Sequence, residues 1–338
     1  MSDRYVPSSM TRISDLEDDW FQVDPLASED WGSGDYVVVE AAGRSGHWQV
    51  ELPNGRLVEL AEGELLIGAL GIRHATLEAT GSWKAVQKDG VMHLLTAGGL
   101  LGRVTSRAAV VPELPEVRYL GHVVRSGRKV VMSEFAVAAE TEREYAIPTI
   151  LIIGTSMSAG KTSTARTVIR RLRGMGLRVL GAKLTGAGRY RDVLTMWDSG
   201  ADPIYDFVDA GLPSSVCTRA EYERAIRPLL SRMAGAPVDV AVVEVGASPL
   251  EPYNGTAAIA HLQDAIRITV LCASDPYAVL GLRAAFNLPV DLVTGIASNT
   301  RAGVELVQNL ADVPCMNIRD KVHGEALDHL LRERLSLP

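Results

Sequence analysis

Residues 154–162 read GTSMSAGKT: Gly154 and Gly160 enclose Thr155, Ser156, Met157, Ser158 and Ala159, and Lys161 and Thr162 follow. This order suits phosphate chemistry. Backbone N–H groups of a glycine-rich turn, with the positive end of a helix opening at Lys161, Thr162 and Ser163, can hold a pyrophosphate. Lys161 can then reach the terminal phosphates, and the Thr162 hydroxyl can bind Mg²⁺. The common form of the pattern, G-x-x-x-x-G-K-[ST], has one residue fewer between its glycines. A purely structural glycine turn is the competing reading. Context argues against it, because the apolar run TILIIG precedes the turn and TSTARTVIRRLRGMG, a helix ending in glycine, follows it.

Two further charged residues end apolar runs: Lys183 in LRVLGAKL and Glu244 in VDVAVVEVG. Ligands of open α/β sheets bind outside the carboxyl ends of the strands, so a lysine there faces the crevice unless it simply lies in solvent. An apolar strand has no packing reason to finish on a carboxylate, and a Mg²⁺ held through oxygen ligands supplies one. A second carboxylate is expected from GRYRDVLTMWDSGAD, with Asp192, Asp198 and Asp202 as candidates. Asp192 is nearest in sequence, beside Arg189 and Arg191, whose guanidinium groups can neutralise a phosphate or a carboxylate. One of the three aspartates could instead cap a helix.

The elements that must position these residues follow from the rhythm of the chain. At 338 residues it exceeds the usual size of one core, and 47% hydrophobic residues can fill two. Residues 1–30 are acidic and polar with little periodicity, which predicts a flexible tail. Residues 31–136 hold short apolar runs broken by turns, such as DYVVVEAA, GRSG, HWQVEL, PNG, RLVEL and KVVMSEFA, with Asn54-Gly55 as a hairpin signal. They predict a small β-rich barrel or sandwich. A charged linker spans 137–147. Residues 148–338 alternate strand-like and helix-like runs, which predicts an α/β domain with a doubly wound parallel sheet. In the β-rich part, Arg73, His74, His93 and Arg103 stand beside glycines and could frame a substrate carboxylate, although histidines on strands more often pack or face water.

Composition narrows the partners. A formal net charge of -7 leaves no basic stripe for a nucleic acid or an anionic membrane, and no run is long and apolar enough to span a bilayer. The N-terminus lacks the apolar region of an export signal. Cys217, Cys272 and Cys315 are far apart and suggest neither a disulfide framework nor a zinc site. A cytoplasmic protein acting on a small molecule is the expectation.

With five residues between its glycines, GTSMSAGKT resembles the loop of the dethiobiotin synthetase-like branch of P-loop proteins, which runs roughly G-T-D-x-x-x-G-K-T. GAKLTGAG is similar to that branch's K-P-V-x-x-G, VEVGAS to its V-E-G-A-G, and LVTGIASNT to its late strand ending in an adenine-contacting asparagine. The resemblance implies Lys183 beside the transferred phosphate and an anionic substrate, Glu244 at the metal site, and Asn299 on the base of ATP. The Asn299 amide carries the donor and acceptor this needs, and a turn-capping asparagine is the alternative. Ser156 departs from the branch's acidic residue. Thr155 stands where partitioning ATPases carry a signature lysine. Across about residues 148–320, GTSMSAGKTSTA, KLTGAG and DVLTMWDSGADPIYDFVDAGLPSS also resemble a broad, mostly uncharacterised P-loop family. One branch of that family makes N-acetyl-D-glutamate from an acyl-CoA donor; here VEVGASPLEP replaces its E-G-Q-G-S-L.

These readings lead to an enzyme that uses ATP and Mg²⁺ to transfer the γ-phosphoryl group to a small carboxylate or carbamate, with Lys161, Lys183 and Glu244 as catalytic residues and Thr162, Glu244 and Asp192 at the metal. The alternatives are a CoA-dependent N-acyltransferase acting on an amino acid, whose loop holds the CoA pyrophosphate, and a nucleotide-gated binding protein. Related α/β domains commonly pair, which implies a homo-oligomer.

Overall fold

A computed structural model describes residues 5–16, 20–42, 49–138, 141–286 and 289–337. The chain divides into two compact units. The first comprises residues 1–138, 187–191 and 207–218, and the second comprises 139–186, 192–206 and 219–338.

In the first unit, strands Leu65–Leu70, Tyr36–Ala41, Glu116–Arg125, Val91–Thr96 and Leu100–Arg107 pair antiparallel in that order. Leu100 and Leu101 then pair in parallel with Ala69 and Leu70, so the hydrogen-bonded ring closes as a five-stranded barrel. Closure removes the exposed edges that an open sheet must protect. The inward positions are apolar: Val37, Val39, Leu66, Leu70, Met92, Leu101 and Val117 are buried together. The hairpin around Asn54-Gly55 pairs Gln49–Glu51 with Leu57–Glu59, and Gly55 supplies the positive φ of its turn. The GRSG turn and the His47-Trp48 start of HWQVEL lie outside the described residues.

Two expectations need correction. Residues 5–16 and 20–30 are not a loose tail: Tyr5–Pro7 pairs with Leu65–Ile67, and Gln22–Asp24 pairs with His122–Val124. Between them a 3-10 turn, Ser9–Ile13, buries Met10, and the Ser9 hydroxyl donates to Glu51 at 2.6 Å. The segment looked polar, yet Ser9 bonds the Glu51 carboxylate and the Gly98 carbonyl, while Thr11 and Ser14 close the turn through the Ser8 and Thr11 carbonyls. The run KVVMSEFA is likewise mostly not strand. Arg128–Lys129 is a two-residue strand, Val131 adds a single bridge to Asp35, and Met132–Phe135 turns into a 3-10 helix. Of the four groups proposed to frame a carboxylate, Arg73 is engaged with Glu78 and the Leu95 carbonyl, Arg103 with Asp89, and His93 Nδ1 with the Val104 N–H. His74 ends a three-residue edge strand, Ile72–His74.

The second unit carries six parallel strands: β1 (Thr149–Gly154), β2 (Val179–Thr185), β3 (Ile204–Asp206), β4 (Val240–Val245), β5 (Ile266–Cys272) and β6 (Leu292–Thr294). Their order is β3-β2-β4-β1-β5-β6. β1, β2 and β4 are buried along their whole length, which explains their unbroken apolar runs. Helices α1 (Lys161–Gly174), α2 (Tyr190–Trp197), α3 (Arg219–Ala234), α4 (Gly255–Leu262), α5 (Pro276–Ala285), α6 (Arg301–Ala311) and α7 (Gly324–Leu335) alternate with the strands. The order reverses direction at β1, and such a switch point opens a crevice at the carboxyl ends of the strands. Among the described residues no helix is long and apolar enough to cross a membrane.

Candidate nucleotide site

The loop after β1 lies at that switch point. Thr155 N–H donates to the Cys272 carbonyl at 3.0 Å, and its hydroxyl accepts the Ser274 N–H at 2.9 Å, which anchors the loop to the end of β5. Gly160 takes φ of 103° as the residue before α1, a conformation that costs a side chain but suits glycine. Ser156 and Ala159 are buried and Ser158 is exposed. At Gly154 a Cβ would stand 2.9 Å from the end of the Lys161 side chain, so a side chain there would displace the lysine.

Lys161 is 3% exposed and donates to the Ser156 carbonyl at 2.6 Å and to the Met157 carbonyl at 3.4 Å. Burial pulls its pKa down, opposed chiefly by the Glu244 charge. An ammonium stored against loop carbonyls at this cost is poised to exchange them for a stronger anionic partner. Thr162 donates its hydroxyl to Glu244 Oε2 at 3.2 Å. Glu244 is 2% exposed, and burial raises its carboxyl pKa against the opposing charges of Lys183 and Lys161.

Lys183, on β2, stands between Asp206 of β3 and Glu244 of β4 in strand register. It forms an ion pair with Asp192, the third residue of α2. Burial lowers its pKa, but Asp192, Glu244 and Asp206 outweigh burial and the net shift is upward. Asp198 and Asp202 are exposed, so Asp192 is the aspartate that meets the cluster. Lys183 thus faces three carboxylates, and one of them, Glu244, also faces Lys161. The hard oxygen donors Thr162 and Glu244 fit Mg²⁺. Beyond Glu244, Ala247 takes φ of 58° while buried, and Gly246 lies so close to the Thr185 carbonyl that a Cβ would collide with it. Strain of this kind often accompanies a functional turn.

Ser163 and Asn299 do not join this cluster. They line a small cavity of ≈ 50 Å³ with Gly160 and Gly295, on the side of α1's first turn. Asn317 and Arg319 complete that cavity, and sequence reading missed both. Asp206 ends a strand of only three residues. No periodic signal marks any of the three.

A parallel sheet with a glycine-rich loop leading into a helix that opens on lysine and threonine is the arrangement of a P-loop fold. No family model and no curated protein matches the chain. Among solved structures the chain is similar to chloroplast FtsY from Physcomitrella patens, with 16% identity, TM-score 0.37 and coverage of 59% of this chain and 71% of that one. It is also similar to HypB from Helicobacter pylori in complex with nickel, with 15% identity, TM-score 0.38 and coverage of 57% and 88%. A DUF1611 family protein from Anabaena variabilis is similar at 16% identity, TM-score 0.35 and coverage of 58% and 60%.

Proposed function

We propose that this protein binds ATP with Mg²⁺ at residues 154–163 and transfers the γ-phosphoryl group to a small carboxylate or carbamate, as the dethiobiotin synthetase-like motifs suggest. The observation that carries the reading is the buried contact of the Thr162 hydroxyl with Glu244, at 3.2 Å, flanked by Lys161 and Lys183. An oxygen donor pair beside two ammonium groups answers the two needs of phosphoryl transfer, a cation site and neutralisation of the phosphate oxygens. Bound Mg²⁺ would supply charge neutralisation between the phosphates. Lys161 would leave the Ser156 carbonyl for the terminal phosphates, and Lys183 would hold the transferred group against the acceptor. Asp192 would keep Lys183 charged and directed. The acceptor would lie outside β2 and β3, where Lys183 and Asp206 end their strands.

The test is a thermal-shift panel of wild type and Lys161→Ala against ATP, GTP, CoA and acetyl-CoA, with and without Mg²⁺, followed by acceptor-dependent ADP release over a set of carboxylates and amines. Mg·ATP at about a hundred times its dissociation constant should add about 2.7 kcal/mol to wild type and nothing to the variant. Turnover in Lys161→Ala should fall on the order of 10²–10³-fold. Stabilisation by CoA species alone, or full ATP turnover by the folded variant, would overturn the proposal.

A further inference from the structure

Two of the carboxylates that face Lys183 stand where the chain passes from one unit to the other. Asp192, its ion-pair partner, directly follows residues 187–191, and Asp206, beside it in strand register, directly precedes residues 207–218. Both of those segments belong to the first unit, although each follows the carboxyl end of a strand of the second, β2 or β3. From this arrangement we infer that Glu51 and Arg12 of the first unit are positioning residues, which fix Asp192 and Asp206 through the chain and so place the Lys183 ammonium. That the placed ammonium serves a transferred phosphoryl group rests on the proposal above; the placement itself does not.

Glu51 is a fully buried carboxylate with three donors around it. It accepts the Ser9 hydroxyl at 2.6 Å and the N–H groups of Tyr190 and Arg191, each at 2.7 Å. These are the first two N–H groups of α2, which have no acceptor within a helix, and a carboxylate suits the positive end of the helix dipole. Asp192 is the next residue of the same helix, so holding the first two peptide groups fixes where Asp192 stands. Arg12 engages both segments at once. Its guanidinium pairs with Asp209 at 2.9 Å and lies over the Tyr190 ring at 4.6 Å, with its side chain 7% exposed. Asp209 is three residues beyond Asp206. The segments also bond each other: the Gly188 N–H donates to the Pro213 carbonyl at 3.0 Å, and Ala187 bridges to Ser214. Packing alone gives no reason to bury a glutamate and an arginine, because charged groups taken out of water cost more than apolar ones. The register they impose on the carboxylates around Lys183 supplies that reason.

The experiment is urea unfolding of the full chain carrying Glu51→Gln, Asp209→Asn or Asp192→Asn, and carrying Asp192→Asn with each of the other two. Mg·ATP binding by calorimetry and ADP release accompany it, the latter with whichever carboxylate of the panel above releases ADP fastest. Glu51→Gln and Asp209→Asn should each shift the urea midpoint about half as far in the Asp192→Asn background as in wild type, since part of what they hold is already lost there. Additive shifts would make the two residues local caps and overturn the inference. A larger shift in the Asp192→Asn background would reduce the effect to repulsion between carboxylates and overturn it too. In both single variants Mg·ATP affinity should stay within about twofold while kcat falls about tenfold or more, as expected of a misplaced group. Equal loss of affinity and kcat would mark general destabilisation and sink the inference. Asp209 is partly exposed, so its amide variant reports even if Glu51→Gln does not fold. If wild type releases no ADP with any acceptor, the phosphoryl-transfer reading falls, and the urea cycles still decide the placement.

Discussion

Glu244 has 2% of its surface exposed and touches a hydroxyl, with two lysines as its counter-charges. Its amide analogue keeps the shape and removes the charge that would draw a divalent ion. Glu244→Gln should therefore bind ATP without Mg²⁺ about as wild type does, yet lose the Mg²⁺-dependent gain by about tenfold or more, measured by titrations with and without the metal. Thiol chemistry gives a second residue-scale expectation. Burial pushes Cys272 up to about 12 and Cys315 up to about 11, while Cys217 is half-buried. A native thiol titration at pH 8 should modify Cys217 alone, and denaturation should release the other two. Lys161, Thr162 and Glu244 were legible because each closes a pattern: a glycine loop, or an apolar strand that finishes on a charge. Asn317 and Arg319 were not, because their place depends on backbone pairing with Val293, more than twenty residues earlier in the chain.

At the scale of elements, loops with little room near the site contrast with a helix that has space to spare. Gly295 takes φ of 91°, and a Cβ there would collide with the Ala159 carbonyl of the phosphate loop. Gly295→Ala should weaken nucleotide binding and destabilise the fold by at least about 1 kcal/mol. Gly281, inside α5 and exposed with nothing near its absent Cβ, is the control: Gly281→Ala should stabilise by about 0.5–1 kcal/mol with binding unchanged. Denaturant titrations of both variants check the contrast. The entries to β2 and β4 add a pH dependence. Asp239 accepts the Arg178 backbone N–H at 2.7 Å and its guanidinium at 2.7 and 3.2 Å, which holds its carboxyl down at about 2. Because the folded value lies below the ordinary 3.8, the stabilisation is complete above that value and is lost as pH falls from about 4 to about 2. The pair is partly exposed, so Asp239→Asn should remove no more than about 1 kcal/mol at neutral pH and flatten the acid limb of the stability curve. Long apolar runs announced β1, β2, β4 and β5. The three-residue β3 carries too few positions for any period to show, although it places Asp206 beside Lys183.

At the scale of the molecule, the boundary the sequence suggests, a charged linker before residue 148, misses how the chain is divided. Residues 187–191 and 207–218 belong to the first unit. There the Glu51 carboxylate accepts the N–H groups of Tyr190 and Arg191, each at 2.7 Å, and the Thr96 hydroxyl donates to the Gly188 carbonyl at 2.8 Å. Arg12 pairs with Asp209 at 2.9 Å, and Val137 donates to the Asp209 carbonyl at 2.8 Å. Phe207, Val208 and Ala210 are buried. Local periodicity cannot report such partners, since they lie more than seventy residues away in sequence. A fragment spanning 141–338 would keep all of the candidate-site residues but expose Phe207 and its neighbours and leave the Tyr190 and Arg191 donors without Glu51. Each large apolar side chain returned to water costs about 1.5–3 kcal/mol, a sizeable part of the 5–15 kcal/mol that holds a typical domain together. The fragment should lack a cooperative thermal transition and show no stabilisation by Mg·ATP, whereas the full chain shows both. If the fragment melted cooperatively and responded to nucleotide as the full chain does, the two excursions would be dispensable to the site, and the first unit could be cut away at the linker after all.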